Sequence, residues 1–201
     1  MLTPTDFLKS PPTFQAGELI VGKQGSKGAQ LTTGDGGTVT LKFGTPAAPC
    51  EAPFGLSSWQ GEQTDRVSLD LRVSPDGEAC IKTIDEAILS HMQQHYKKYF
   101  GPQVKWEKVL EWWRPTLKVH EEGKYPSLVR TKLSKSRVKC WQPTLEPADI
   151  ENLAARASVC VVLTVRSLYF QSKGWGVCLE CQHVMNADPP QNCPWEEEPD
   201  E

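Results

Sequence analysis

Apolar and polar side chains alternate along the second half of the chain, which is the pattern of β strands with one buried face. Val129, Thr131 and Leu133 share one face of a predicted strand, and Arg130 and Lys132 share the other. The sequence therefore predicts a strand that buries its apolar side chains and presents two cations outward.

The next segment repeats this pattern. Val138 and Cys140 share one face, and Arg137, Lys139 and Trp141 share the other. Rings that stack on bases and cations that contact phosphates are the means by which proteins bind single-stranded nucleic acid without sequence preference. Trp141 is therefore a candidate for base stacking, and packing at the rim of the sheet is the alternative.

Residues 159–165 are apolar enough for a central strand that is buried on both faces. A strand at 167–170 and a turn lead to a returning strand at 175–179. Tyr169 and Phe170 are adjacent, so they point to opposite sides of the strand, and one of them is expected to face a ligand. Trp175 and Tyr125 each share a face with apolar neighbours, which favours core positions for both.

The first half of the chain predicts further strands. Residues 18–21 begin the first, and residues 30–32 and 39–43 predict a hairpin because Gly34-Asp35-Gly36-Gly37 supplies a tight turn. A half-buried strand is expected at 67–73. Pro75-Asp76-Gly77 predicts a turn at its end.

Helical periodicity begins after this turn. Thr83 and Glu86 have the spacing of a capping box, so a helix is predicted from Thr83 until Gly101-Pro102 ends it. A short second helix is expected around 106–113, before Pro115. A strand at 117–119 returns the chain to β structure.

Strands, a helical insert and then more strands predict a mainly β protein. The expected architecture is an OB-like five-stranded barrel with N-terminal strand extensions and a helix between strands, and a jelly roll or open sandwich is the alternative. The predicted organisation is a flexible arm at 1–16, one domain at 17–186 and a disordered acidic tail at 187–201.

The distribution of charge is more informative than its sum. The chain of 201 residues has a formal net charge of −3. Between positions 97 and 139, however, twelve cations stand against four acidic residues, an excess of eight. The acidic residues of the tail, Glu196, Glu197, Glu198, Asp200 and Glu201, offset this basic middle. A polyanion is therefore a plausible ligand despite the acidic total.

Residues that could carry other chemistry are few. Seven cysteines form no disulfide pattern, which favours a reducing compartment. Cys178 and Cys181 have CxxC spacing, but in a strand they face opposite sides and cannot share a metal. His91 and His95 lie on an apolar helix stripe, which favours a structural role. No membrane span, secretory signal, cofactor motif or catalytic set is recognisable.

Several short motifs, taken in order, resemble one family. They are Pro-Phe-Gly-Leu-Ser-Ser-Trp at 53–59, Ser-Leu-Asp-Leu at 68–71, Lys-Tyr-Pro-Ser-Leu at 124–128, and Ser-Leu-Tyr-Phe at 167–170 leading to Lys173-Gly174-Trp175-Gly176. They resemble the single-stranded-DNA-binding proteins of nucleocytoplasmic large DNA viruses, which look related to those of short-tailed bacteriophages. The resemblance extends from about Gln30 to Val184.

This resemblance implies an OB fold, binding of single-stranded DNA in replication, and no enzymatic activity. Phage members carry an acidic C-terminal tail that contacts replication proteins and competes with DNA, and residues 196–201 look like such a tail. Two departures are present. The chain ends in Glu201 rather than in an aromatic residue, and Trp175 stands where many relatives have Phe.

The sequence therefore predicts a non-enzymatic protein that binds single-stranded DNA in replication, recombination or repair. The expected partners are that DNA and, through the tail, a polymerase or helicase. No membrane partner is expected, a homodimer is left open, and the expected location is intracellular, in a nucleus or a viral replication factory. The candidate DNA-binding residues are Trp59, Lys124, Arg130, Lys132, Arg137, Lys139, Trp141, Tyr169, Phe170 and Lys173.

Two alternatives remain open. The first is a β-rich protein-interaction or assembly module, in which the rings form a hydrophobic contact and the cations are merely solvated. The second is a thiol-based enzyme that uses Cys178 and Cys181.

Overall fold

The computed structural model describes residues 20–25, 28–33, 36–58, 64–119, 125–172 and 174–188. The predicted arm at 1–16 lies outside these ranges, as does the acidic tail from position 189 onward. The described part is mainly β, as predicted, with one long helix between strands. It contains no helix of the length and apolar character needed to cross a membrane.

The strands in chain order are β1 (Ile20–Gly25), β2 (Gly28–Thr32), β3 (Val39–Phe43), β4 (Cys50–Ala52), β5 (Leu56–Ser57), β6 (Arg66–Leu71), β7 (Trp113–Arg114), β8 (Leu117–Lys118), β9 (Leu128–Ser134), β10 (Lys139–Trp141), β11 (Pro147–Ala148), β12 (Ala157–Gln171) and β13 (Gly174–Asn186). The helices are α1 (Pro75–Phe100) and α2 (Trp106–Glu111), and a short 3-10 helix spans Ile150–Asn152.

Strand β12 organises the sheet. It is 15 residues long and forms an antiparallel hairpin with β13, from Val159 opposite Asn186 to Gln171 opposite Gly174. The apolar run at 159–165 and the predicted strand at 167–170 are thus one continuous strand. The register shifts between Val165 and Ser167, so Arg166 sits at an irregularity of the ladder.

The predicted hairpin between residues 30–32 and 39–43 is wrong. Strands β2, β3 and β4 follow one another along the edge of β12 that β13 leaves free, and each pairs antiparallel with β12. Strands β2 and β3 therefore run in the same direction, and between them the Thr33 N–H donates to the Gly37 carbonyl at 3.0 Å. Because β2 and β3 both pair with the long apolar strand β12, they do not pair with each other as a hairpin would require.

The other half of the sheet continues from β13. Its strand order is β1-β2-β12-β13-β9-β6-β5, and the remaining strands pair beside this path to give thirteen strands in one sheet. The expected five-stranded barrel is therefore not confirmed, because the described strands form a larger, open sheet. The two halves approach each other where Glu51, in β4, forms an isolated bridge with Arg72, next to β6.

Helix α1 begins earlier than the capping-box spacing predicts, and the predicted turn at Pro75-Asp76-Gly77 is wrong. The Ser74 hydroxyl caps the helix by accepting a hydrogen bond from the Gly77 N–H at 3.2 Å. Pro75 suits the first helical position because its missing N–H would be unpaired there. The end is as predicted, since Gly101 closes the helix with a φ of 91°.

The core lies between α1 and one face of the sheet. Ile81, Ile84, Ile88 and Met92 of α1 are fully buried in it. Trp175 is also fully buried, as predicted, and its indole N–H donates to the Val109 carbonyl at 2.8 Å. The core position predicted for Tyr125 is wrong, because its side chain is 61% exposed in the segment that precedes β9.

Candidate nucleic-acid interface

The side of the sheet opposite the core carries the candidate residues, and we call it the outer face. Alternation places Arg130 and Lys132 there, exposed, while Val129, Thr131 and Leu133 of the same strand are buried. Strand register and side-chain contacts assign these residues to the outer face: Arg66, Ser68, Asp70, Lys118, Arg130, Lys132, Arg137, Lys139, Trp141, Arg166, Tyr169, Cys178, Glu180 and His183.

One end of the outer face is a cluster of cations around Asp70. Asp70 lies opposite Arg130 and accepts two hydrogen bonds from its guanidinium, both at 2.7 Å. These bonds raise the pKa of Arg130, so it stays charged. Lys132 donates to the neutral Ser68 hydroxyl at 2.7 Å.

Lys118 belongs to the same cluster, and sequence reasoning missed it. Strand β8 pairs with β9 and brings Lys118 opposite Leu128. Partial burial and the positive charges of Arg130 and Lys132 lower the pKa of Lys118, while Asp70 opposes them. Three cations thus share one carboxylate, which leaves excess positive charge that an anion would neutralise. The strand at 117–119 was predicted, but Lys118 was not named as a candidate DNA-binding residue.

A second group of cations surrounds Glu180 in the middle of the outer face. Glu180 lies opposite Lys132 in the register between β13 and β9. Its carboxylate accepts hydrogen bonds from Arg137, at 3.2 Å, and from Arg166. Arg166 was missed by sequence reasoning because it lies within an otherwise apolar stretch and no alternation marks it.

The far end of the outer face carries Trp141 and His183. The Trp141 indole N–H donates to His183 Nδ1 at 3.3 Å, and the two ring planes differ by 8°. Because this bond joins the edges of the rings, they lie side by side rather than face on face. Trp141 packs against the buried side chains of Cys160, Val162 and Met185 and remains partly buried. Lys139, next to Trp141, is exposed and lies opposite His183 in the register.

Tyr169 and Phe170 point to opposite sides of β12, as alternation predicts. Tyr169 lies opposite Gly176, where an added Cβ would come within 3.0 Å of the Tyr169 hydroxyl oxygen. The glycine therefore leaves room for the phenol ring against β13, half-buried. Burial raises the pKa of Tyr169, so its hydroxyl stays protonated near neutral pH.

Phe170 is held inside an aromatic cluster on the core side. Its ring stacks on Tyr99 at 5.6 Å between centroids, lies nearly parallel to Trp175, and meets the edge of Phe100. Phe170 therefore lies on the core side of the sheet and not on the outer face. Trp59, Lys124, Lys173 and the acidic residues of the tail lie outside the described residues.

The cysteines of the CxxC sequence are separated by the sheet. Cys178 is half-buried on the outer face, whereas Cys181 is buried in the core. Burial raises the pKa of both thiols, which keeps them protonated. Within the described ranges, no group of three or more histidine, cysteine or acidic side chains is placed to hold a metal ion.

Comparison with known proteins gives distant structural matches. No family model and no curated protein sequence matches the chain. The single-stranded DNA-binding protein from bacteriophage Enc34, in complex with single-stranded DNA, is 15% identical over 87% of this chain and 99% of its own, with a TM-score of 0.46. Gp2.5, a single-stranded DNA-binding protein encoded by bacteriophage T7, is 12% identical over 80% of this chain and 98% of its own, with a TM-score of 0.47. These matches are too distant to establish a shared fold.

Proposed function

We propose that this protein binds single-stranded DNA along its outer face and does so without catalysing a reaction. One observation carries the proposal: cations and rings from paired strands β9, β10, β12 and β13 lie on the same side of the sheet. A flexible strand can place its phosphates against cations and its bases against rings only when both share a surface.

The phosphates would contact the cluster around Asp70. Lys118, Arg130 and Lys132 surround a carboxylate that neutralises only one of their charges. A phosphate bound there would relieve the mutual repulsion of the cations and release counterions from the DNA. Exposed Lys139 and Arg137 would extend these contacts towards Trp141.

The bases would stack on Trp141, with Tyr169 as a second ring. The bond from Trp141 to His183 fixes the indole, so little side-chain freedom is lost when a base stacks on it. Base stacking on an aromatic side chain contributes about 1–3 kcal/mol. Trp59 would add a third ring if its loop lies beside the outer face.

We further propose that the sheet curls into an OB-like barrel at this site. The bridge between Glu51 and Arg72 supports closure, because its backbone groups exchange hydrogen bonds at 2.8 and 3.3 Å. Arg72 also binds the Glu51 carboxylate at 2.8 Å. Strands β12, β13, β9, β6 and β4 would then form the ring of five.

The biological setting that this proposal implies is DNA replication, recombination or repair inside a cell, in a nucleus or a viral replication factory. The acidic residues 196–201 would contact replication proteins such as a polymerase or helicase, and a homodimer is compatible with the proposal. Deleting residues 196–201 should strengthen DNA binding, since it removes an internal competitor. An unchanged or weaker affinity would contradict this role for the tail.

Fluorescence anisotropy with labelled oligo-dT and with duplex DNA, each at two salt concentrations, tests the binding proposal. We expect tighter binding to oligo-dT than to duplex, and an affinity that falls steeply as salt rises. Absence of binding to oligo-dT at low salt, or a preference for duplex, would refute it.

A protein-interaction module is the second candidate, and exposed apolar side chains favour it. Phe54, Val119 and Tyr125 are each more than half exposed. This function would require a protein partner that is retained after nuclease treatment, together with an affinity for oligo-dT that is absent or insensitive to salt.

A further inference from the structure

Glu180 is an acidic residue at the centre of a cationic surface. Its side chain is 14% exposed, and each of its carboxylate oxygens has a different arginine partner. Arg137 approaches Oε1 from the turn between β9 and β10, and Arg166 approaches Oε2 from the irregularity in β12. Both arginine side chains are more than half exposed, so solvent or a ligand can reach them.

The geometry of this cluster resembles that of a phosphate site. A carboxylate and a phosphodiester both offer two oxygens and one negative charge to guanidinium groups, which bind either anion through the same donors. In the free protein, Glu180 binds one terminal nitrogen of each arginine, Nη2 of Arg137 and Nη1 of Arg166, and its charge offsets the positive charge that would attract a phosphate. Lys132, opposite Glu180, keeps the neighbourhood cationic.

We propose that Glu180 is a built-in competitor for phosphate, and that it keeps the affinity for single-stranded DNA below what the outer face could otherwise provide. This inference rests on the proposed binding of single-stranded DNA. When DNA binds, its phosphates exchange with Glu180 for the two arginines. The exchange replaces one anion by another, so these arginines contribute less to binding than unpaired cations would.

The opposite role, in which Glu180 positions the arginines for DNA, predicts the opposite sign. The two arginines are half-exposed, and such ion pairs fix side chains only weakly. The negative charge of Glu180 acts on every phosphate within roughly 8–10 Å at physiological salt. Repulsion should therefore outweigh positioning.

The substitution Glu180→Gln tests this, because glutamine keeps the shape of the side chain and removes its charge. Anisotropy with oligo-dT should show binding about 3- to 10-fold tighter than in the native protein at low salt. The slope of log affinity against log salt should steepen by about 0.7, the value of one additional phosphate contact. Glu107→Gln makes the same change on α2, outside the outer face, and should alter neither quantity. A thermal melt checks that each variant is folded.

A double-mutant cycle with Arg137→Ala separates the two roles. If Glu180 competes, removing Arg137 costs more affinity in the Glu180→Gln background than in the native background. If Glu180 positions the arginine, the cost is larger in the native background, and this result would overturn the inference. Equal costs would overturn it as well. A native protein that does not bind oligo-dT would refute the proposed function itself, which this cycle distinguishes from a failure of the inference alone.

Discussion

Arg130 holds Asp70 through two parallel hydrogen bonds across strands β9 and β6, from Nε to Oδ1 and from Nη2 to Oδ2, each at 2.7 Å. Asp70 is 4% exposed, whereas the Arg130 side chain is 46% exposed. The carboxylate therefore fixes one edge of the guanidinium and leaves the rest of the group accessible. Such a paired arginine is oriented before a ligand arrives.

The pair should also stabilise the fold. We expect Arg130→Ala to lower the free energy of unfolding by about 1–2 kcal/mol, because the nearly buried Asp70 carboxylate loses two hydrogen bonds. The range for a fully buried ion pair is larger and does not apply, since water reaches the arginine. Urea denaturation measures the change. Asp70→Ala combined with Arg130→Ala should cost less than the sum of the single changes, and additive costs would contradict the coupling.

Lys132 gives a cleaner test of phosphate binding than Arg130. Its partner is the Ser68 hydroxyl, which is neutral, so Lys132→Ala leaves no carboxylate without its cation. We expect a several-fold loss of affinity for oligo-dT at low salt and a slope of log affinity against log salt that is shallower by about 0.7. Anisotropy titrations over a range of salt concentrations measure both.

The matched control for this change is Lys82→Ala, which removes an exposed lysine from α1 on the other side of the sheet. It should leave affinity and slope unchanged. If both variants weaken binding equally, the effect reflects net charge, and the assignment of Lys132 to the binding surface fails.

The ionisation of Asp65 should make the free energy of unfolding depend on pH. Asp65 accepts hydrogen bonds from the Ser134 hydroxyl at 2.5 Å and from the Ser136 N–H at 2.8 Å, which lower its pKa to about 2. Because the folded pKa lies below the unfolded value near 3.8, the ionised group stabilises the fold above pH about 4. This contribution is lost as the pH falls towards 2. The difference in urea midpoint between the native protein and Asp65→Asn should therefore shrink between pH 4 and pH 2.

The hydrogen bonds that the Asp65 carboxylate accepts from Ser134 and Ser136 fix the turn that carries Arg137. The substitution Asp65→Asn therefore alters a turn next to the outer face. The backbone N–H of Lys135 donates to the Asp65 carbonyl at 2.9 Å, and this bond survives the substitution. A pH-independent difference between the two proteins would show that the carboxylate charge does not stabilise the turn.

Local alternation predicted the placement of side chains on the outer face. The period of two assigns Arg130 and Lys132 opposite Val129 and Thr131 without knowledge of neighbouring strands, and the structure agrees. It likewise separates Tyr169 from Phe170. Such patterns suffice because each strand buries one face, whatever its partners are.

The partners of β2 and β3 could not be read from local sequence. The glycine-rich segment at 34–37 suggested a hairpin, yet β2 and β3 both pair with β12, more than a hundred residues away. Pro75-Asp76-Gly77 fits a turn and a helix start equally well, and Ser74 decides between them by capping. Lys118 joins the outer face through the pairing of β8 with the next strand, β9, and Arg166 lies at the irregularity of the β12–β13 ladder, which alternation within one strand does not locate.

Trp141 is the residue on which base stacking depends most directly, and two substitutions isolate it. Trp141→Phe keeps an aromatic face, whereas Trp141→Leu keeps only apolar cover over Cys160, Val162 and Met185. Both remove the hydrogen bond to His183, so this loss cancels in their comparison. We expect the leucine variant to bind oligo-dT more weakly than the phenylalanine variant by about 1–3 kcal/mol, the contribution of one stacked base. Anisotropy measures the difference, and thermal melts show whether the two variants are equally stable. Equal affinities would mean that Trp141 packs at the rim of the sheet and does not contact bases.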